Sequence, residues 1–481
     1  MKAGFSEKDM TPPPGTQRAG AYRVMRLGEM HDPIKVRAAV FEQNGERVAL
    51  AGVDVCMVNR KTVLAARAEI FKNTGVKPEN VLIAASHTHS GGSLWGFRAE
   101  ELEDTSDIVR NLAMECSPSV DIPYEKQVIS AIVSAVTEAD KNKNAVAFSF
   151  GKGHDSDTVF NRRFRMKNGT SVTHPGKGNP DILEAAGPVD PEVIVIGGWC
   201  EDGRLAGCVV NYACHGTCYS GMMPSADWIG SMEAMIKAKF GSNIVTVFLN
   251  GACGDITQVD NISLRQNHPG LEWMDILGTR IGAEAVKVLI SAEKENCFSL
   301  KSISETITIK RRKPDPVKTE KSLEKVSRMI GDPENWSKEE FTWAKERVLA
   351  DYLYKKSPER DVEIQAIQIG PSVILANPAE YFCSLGLEIK KASEFPFTMV
   401  VELANDCIGY VPDEEAFSKT GGGYETRLTS YSNLETTAGT KIRNKSIELS
   451  AKFTPEAAPE GPQVESPCPV WSYGDNAPEL D

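Results

Sequence analysis

The sequence predicts an α/β fold, a mixed β-sheet core covered by helices, in a single large domain with insertions. Three observations predict it. Short apolar runs bounded by turn residues recur along the 481-residue chain, and stretches of helical periodicity lie between them. The balance of 41% hydrophobic and 25% charged residues is that of a globular protein in water. Alternating strand and helix is the pattern of an α/β layer structure, and this length can bury one large core.

Taken in order, strands are predicted over 34–43 and 47–55, then a helix over 60–75 that stops on Gly75, then a strand over 81–86. A helix over 124–142 precedes strands at 145–153, 193–200 and 207–214. Helix 225–241 opens on Ser and Asp and closes on Gly241; strand 244–251 and the long helix 274–293 follow. Strands at 302–311, 362–370, 373–377 and 397–405 complete the set. Several are continuous apolar runs, as expected of strands in a central sheet covered on both faces.

The domain is expected to span 1–450, interrupted twice. Residues 154–191 are polar and rich in Gly, Pro and Asn, which suggests a long surface excursion near a site. Residues 312–361 read as a charged helical hairpin, first of all a solvated excursion, with a lid or an oligomer contact as alternatives. Residues 451–481 form an extended arm.

A formal charge of −12 argues against nucleic acid or an anionic membrane surface as the main partner. No run approaches the roughly 20 apolar residues that span a bilayer. The opening "MKAGFSEKDMTPPPGT" has no apolar stretch of a secretory signal, so the expected location is cytoplasmic, with secretion of a trimmed form left open. Eleven cysteines without a C-x-x-C pair read as buried free thiols rather than a zinc knuckle. The expected partner is a small or medium-sized organic substrate, and a homo-oligomer is possible.

The chemistry-bearing residues gather at strand ends. In "VLIAASHTHSGG" the strand runs into His87 and His89, which as i and i+2 would share one face; metal ligands and ordinary turn histidines fit that spacing equally. "GCVVNYACHGTCYSG" ends a second strand at His215-Gly216, with Cys214 read as a core thiol. "FLNGACGDITQVDN" supplies Asp255, which would ligate a metal, orient a histidine or cap a helix, and the hydroxyl of Thr257. In "VILANPAEYF" Glu380 follows a strand and opens a helix. "ELANDCIGYVPDEEAFSKTGGGYETR" offers Tyr410 after a strand and Tyr424 after three glycines. His31, His154, His174 and His268 lie in polar or Pro-flanked loops and are expected at the surface.

The order of these segments resembles the catalytic domain of the neutral (alkaline, non-lysosomal) ceramidase superfamily. "AGFSEKDMTPPPGTQRAGAY" is similar to that family's opening, and "SHTHSGG", "NYACHGT", "SADWIG", "NGACGDI", "NPAEYFCSLG" and "LANDCIGYVPDEEAF" follow in the family's order. The resemblance covers most of 1–450. It implies a catalytic zinc held by His87, His215, Glu380 and Tyr410, with His89, Tyr424 and Arg162 of "NRRF" lining the reaction centre. Such a zinc would lower the pKa of water toward roughly 7 and polarise a carbonyl, so that an amide or ester is hydrolysed. The chain departs from ceramidases where their "GDvSPN" segment carries a Ser important for activity. Gly254-Asp255-Ile256-Thr257-Gln258 stands here, and Thr257 keeps only the hydroxyl. The ceramidases' carboxy-terminal immunoglobulin-like domain has no counterpart in the residues after 450. The expected function is therefore zinc-dependent hydrolysis of an amide (N-acyl) bond in a small or medium-sized substrate. Ester, lactone or glycoside hydrolysis on the same fold and a non-catalytic sugar- or lipid-binding relative are the alternatives.

Overall fold

Three mixed sheets, not one, share the core of the computed structural model, which describes all residues except 267, 297, 462–467, 469, 475, 476 and 481. In the first sheet Lys35–Gln43 pairs antiparallel with Lys2–Asp9 on one side and Glu46–Val53 on the other. Val81–Ala85 joins Glu46–Val53 in parallel, and the short Asn144–Ala145 closes the far edge. The second sheet runs Val245–Asn250, Leu205–Tyr212, Glu192–Trp199, Ala147–His154, Lys294–Glu295. The third runs Leu300–Lys310, Glu359–Ile369, Ser372–Ala376, Phe397–Val401. In both, one parallel pair at the edge accompanies antiparallel neighbours.

The inner strands are covered on both faces, as their apolar runs predict, but the two covers differ. On Lys35–Gln43, Ala38 and Val40 face the helices Arg60–Thr74 and Ile122–Lys141, whereas Ala39 and Phe41 face the other sheets. Leu50 and Leu82 of the first sheet, Ile194 and Val247 of the second, and Ile374 and Met399 of the third meet in that inter-sheet core. Helices Trp228–Phe240 and Gly270–Ser291 cover the second sheet's outer face, and Cys383–Ala392 and Ala438–Ser450 the third's. Each fully buried Leu, Ile or Val on these faces contributes about 1.5–3 kcal/mol. The single central sheet expected from the pattern is thus replaced by three. A continuous apolar run says that both faces are buried and is silent on whether sheet or helix buries them.

One polar group is built into this packing. Arg37, on the first sheet, donates to Glu233 Oε2 on helix Trp228–Phe240 from Nε at 3.0 Å and Nη2 at 2.6 Å. Its Nη1 donates to Asp54 Oδ2 at 2.7 Å. Lys35 and Lys237 add ion pairs to Glu233.

The insertions are more structured than their composition suggests. Within 154–191 the strands Arg163–Met166, Ser171–Thr173 and Ile182–Ala185 form a small sheet, and Phe160–Asn161 pairs with Ile256–Thr257. Asn161, Arg162 and Arg163 are buried, so the segment is not simply a surface excursion. Residues 312–361 do form a helical hairpin, Pro316–Met329 and Glu339–Lys356. Its second helix is not a solvated excursion: Phe341 and Leu349 pack with Leu102, Leu112 and Cys116. Buried Lys345 donates to Cys116 O at 3.0 Å and Ser117 Oγ at 2.8 Å. Past 450, Phe453 is buried and Glu456 accepts from Ser299 N at 3.0 Å, so the arm starts as a packed segment; much of the remainder lies outside the described residues. The ten described cysteines are free thiols, seven of them buried; Cys297 lies outside the described residues. Among the described residues no helix is long and apolar enough to cross a membrane.

Candidate metal centre

His87 and His89 come together, though not by the pleat of a strand. The strand Val81–Ala85 stops before them, and His87 takes φ +68°, a left-handed conformation rare for a non-glycine residue. Strain of this kind concentrates at functional sites. Beyond it, Thr88 forms a parallel bridge with Gly216, and His89 N donates to Gly216 O at 2.9 Å. A Cβ on Gly216 would lie 2.7 Å from His87 O and 2.9 Å from Thr88 Cα, so only glycine permits this approach. The bridge sets His215 against His87, ring centroids 4.4 Å apart. Trp228 Nε1 donates to His215 O at 3.0 Å. The Asp227 carboxylate accepts from Cys218 N at 3.2 Å and Tyr219 N at 3.0 Å, which fixes the turn after His215.

Glu380 does not open a helix. It pairs in parallel with Tyr410 in a two-residue ladder, Glu380–Tyr381 on Tyr410–Val411, and the helix begins only at Cys383. Its N–H donates to Gly409 O at 2.9 Å, a strand bond that a first helical turn would not make. The register sets Glu380 and Tyr410 side by side. Gly254 N donates to Tyr381 O at 2.9 Å, and a Cβ on Gly254 would sit 2.6 Å from Glu380 O.

His87 Nε2, His215 Nε2 and Glu380 Oε2 now converge. The carboxylate oxygen lies 3.5 Å from His87 Nε2 and 3.4 Å from His215 Nε2, and it has no hydrogen-bond partner. His87 Nδ1 is bonded to Cys56 O at 2.7 Å, which puts the N–H there and leaves the Nε2 lone pair facing Glu380. Two donors about 2.1 Å from a tetrahedral zinc are separated by about 3.4 Å, and two imidazoles with a carboxylate are a zinc donor set. The residues therefore fit a divalent metal.

The same three groups perturb one another electrostatically. Burial alone would lower the His87 imidazole, yet the Glu380 carboxylate with Cys56 nearby carries it well above the usual histidine range. Burial would raise Glu380, but His87 and His215 hold it well below the carboxylate range. His215 is pushed down to about 3 by burial, then by Arg162 and His87. Arg162 Nη1 donates to His215 Nε2 at 3.1 Å, so a guanidinium supplies the positive charge beside that nitrogen.

Around this centre His89 Nε2 lies 3.5 Å from His87 Nε2, its ring laid against Gly20, where a Cβ would be 2.3 Å from His89 Nδ1. Tyr410 and Tyr424 share a hydrogen bond of 2.8 Å between hydroxyls, and the Arg162 guanidinium sits over both rings at 5.4 and 5.1 Å. Asp255 is elsewhere: Oδ1 accepts from Cys383 N at 2.8 Å and Oδ2 from Asn161 Nδ2 at 2.7 Å. Of the three roles its context allows, these contacts are those of a cap, though on a helix far along the chain. Thr257 is buried in the ladder with Phe160, its Oγ1 accepting from Val259 N at 3.3 Å, and it does not line the cavity described below. His31, His154, His174 and His268 are exposed.

The sequence matches no protein-family model and no curated protein. Solved structures do match. Neutral ceramidase from Pseudomonas aeruginosa superposes with a TM-score of 0.68 at 19% identity, over 95% of this chain and 76% of that one. A structure described as ceramidase complexed with C2 gives 0.66 at 17%, over 95% and 77%. The chain has the neutral ceramidase fold.

Within this ceramidase-like fold, three residues that sequence reasoning passed over complete the centre. Tyr431 holds the second carboxylate oxygen of Glu380, Oε1, through its hydroxyl. Glu425 Oε1, fully buried, accepts from Arg162 Nε at 2.9 Å and Oε2 from Thr173 Oγ1 at 2.7 Å. Arg18 Nε donates to His89 O at 2.7 Å. Glu425 had a signal in its place beside Tyr424, and Arg18 in the opening segment "AGFSEKDMTPPPGTQRAGAY"; Tyr431 sits in a segment without periodicity or motif. A cavity of about 450 Å³ opens on His89, Glu380, Tyr410, Tyr424 and Tyr431.

Proposed function

We propose that this protein is a zinc-dependent hydrolase that cleaves an amide (N-acyl) bond in a small or medium-sized substrate. One observation carries the reading: a fully buried carboxylate oxygen, Glu380 Oε2, left without a hydrogen bond between two imidazole nitrogens. Such an oxygen is costly to bury unless a cation is meant to meet it. His87, His215 and Glu380 would hold the ion, with the Tyr410 phenol beside them. When bound, zinc supplies Lewis acidity that activates water near neutral pH and polarises a carbonyl.

The chain's own residues supply the rest. In the Tyr410–Tyr424 pair one hydroxyl donates to the other, which leaves one phenolic proton to be aimed at oxygen charge developing on the substrate. A donor so placed is worth on the order of 3 kcal/mol. Arg162, fixed by Glu425 and by Gly254 O at 2.6 Å, keeps a positive charge beside the centre in a water-poor setting. His89 Nε2, beside the ligand histidine, is placed to take a proton and return it to the departing amine.

The test is metal analysis joined to a bond-type panel. Protein purified without added metal should contain about one zinc per chain and should turn over N-acyl substrates in a chelator-sensitive way. Chelator-sensitive turnover confined to ester, lactone or aryl-glycoside substrates would keep the centre and replace the bond. Absence of zinc, with a His87→Ala variant as active as its parent, would overturn the reading.

A further inference from the structure

The cavity that reaches Glu380 is also lined by Arg60, Arg311, Arg360 and Asp406. Contacts place this second wall relative to the first. Arg360 Nη2 donates to Asp406 Oδ2 at 2.7 Å and to Cys407 O at 3.2 Å. Cys407 Sγ lies 3.5 Å from Tyr431 Oη, and that hydroxyl holds Glu380. Arg360 is thus two residues, Cys407 and Tyr431, removed from the carboxylate that faces the imidazoles.

The charges here do not balance. Four guanidinium groups, Arg60, Arg67, Arg311 and Arg360, meet two carboxylates, Glu363 and Asp406; of the other carboxylates on the cavity wall, Glu101 is paired with Lys61 at 2.7 Å and Glu346 with Lys345 at 3.3 Å and Ser430. Glu363 is taken by Arg67, at 3.0 and 2.9 Å, and by Arg60. Asp406 is taken by Arg360 and by the backbone N–H groups of Arg60 at 2.9 Å and Cys407 at 2.8 Å. Arg311 has neither: Nε donates to Ser357 O at 2.9 Å and Nη1 to Asn433 Oδ1, and among the described residues no carboxylate pairs with it. Burial and then Arg360 push its guanidinium down to about 10, which leaves it a cation at neutral pH. A half-buried cation with no carboxylate in contact, Asp406 acting on it only from a distance, is a local exception in a chain of net charge −12 that a ligand's charge would satisfy. The planar fork of an arginine matches an oxyanion.

We propose that Arg311, with Arg360 beside it, receives an oxyanion (carboxylate, phosphate or sulfate) carried by the substrate at the end remote from the bond that is cut. This rests on the hydrolase reading above and narrows its substrate class to anionic N-acyl compounds. Water adds across the amide, its oxygen to the acyl carbon and a proton to the departing nitrogen, and the anionic group leaves unchanged on its fragment.

Matched substrates test it: N-acyl ω-amino carboxylates of three to eight carbons, their neutral carboxamides, and phosphate monoesters of the corresponding N-acyl amino alcohols. The expected result is a kcat/KM about 10- to 100-fold higher for an anionic member than for its neutral partner. The preference should shrink as salt is raised, fall toward unity in Arg311→Met and survive in part in Arg311→Lys. Whether carboxylate or phosphate gains more tells which oxyanion the arginines take. Equal kcat/KM for charged and neutral members in the wild-type protein overturns the proposal while leaving the hydrolase reading intact. If no member turns over, calorimetric titration separates the two. Salt-sensitive binding of only the anionic members, lost in Arg311→Met, keeps the oxyanion subsite and removes the hydrolase; indifferent binding removes both.

Discussion

At Arg37, buried between the first sheet and the helix Trp228–Phe240, the guanidinium is met on both sides by carboxylates. At Glu380, equally buried, one oxygen is held by Tyr431 and the other faces two imidazole nitrogens with no hydrogen bond. The first cluster is closed, each charge answered inside the protein. The second is open by one cation. A buried network that closes on itself holds two layers of the fold together, whereas one left incomplete is addressed to something that binds.

The contrast is sharpest in what each cluster loses. Glu380→Ala should reduce turnover by about 10⁴-fold or more and remove the metal, while denaturant melts of the metal-free protein show little loss of stability. A large loss of stability would break the comparison, since Glu380 would then be as structural as Glu233. Glu233→Gln should cost about 3–5 kcal/mol in the same melts, because Arg37 is left half-answered, with metal content unchanged. This loss has a pH signature. Burial would raise the Glu233 carboxyl, but Arg37 holds it well below the usual range. A depressed folded-state pKa stabilises above the unfolded value, near 4.3, and is lost below it. The gap between wild type and Glu233→Gln should therefore be full at pH 7 and narrow steadily below pH 4.

Gly20→Ala probes the rim of the open cluster. A Cβ there meets the His89 ring at a positive φ, and the displaced imidazole should lower kcat by up to about 10²-fold with zinc retained. The smallest expected effect is at Tyr431→Phe, which frees Glu380 Oε1. Zinc affinity, measured by competition with a chelator, should fall about tenfold to a hundredfold with the fold intact.

Much of the framework was legible in the sequence because apolar runs and helical periodicity report burial directly. Strand Lys35–Gln43 and helix Arg60–Thr74 fall within a residue of where pattern put them. The number of sheets was not legible, since the face of Phe41 turned to another sheet looks like a face turned to a helix. Polar composition hid the interior of 154–191, where Arg162 and Arg163 are buried against Glu425 and Gly422 O. The convergence of His87, His215 and Glu380 depended on strand ends and a family resemblance. Tyr431 and Arg18 act through contacts to residues far along the chain, Glu380 and His89 O, made only by the folded chain. For Asp255 the sequence left a metal ligand, an orienting group and a helix cap open, because only the folded chain brings the helix start at Cys383 and Asn161 to its two oxygens.

The Thr88–Gly216 bridge has a kinetic meaning as well. It joins parts of the chain separated by several strands and two helices, and Glu380 arrives from still farther along. Contacts so distant in sequence carry a high loop-closure cost and form late in folding. A stopped-flow experiment should therefore find refolding rates indifferent to zinc, while unfolding rates slow once the ion is held.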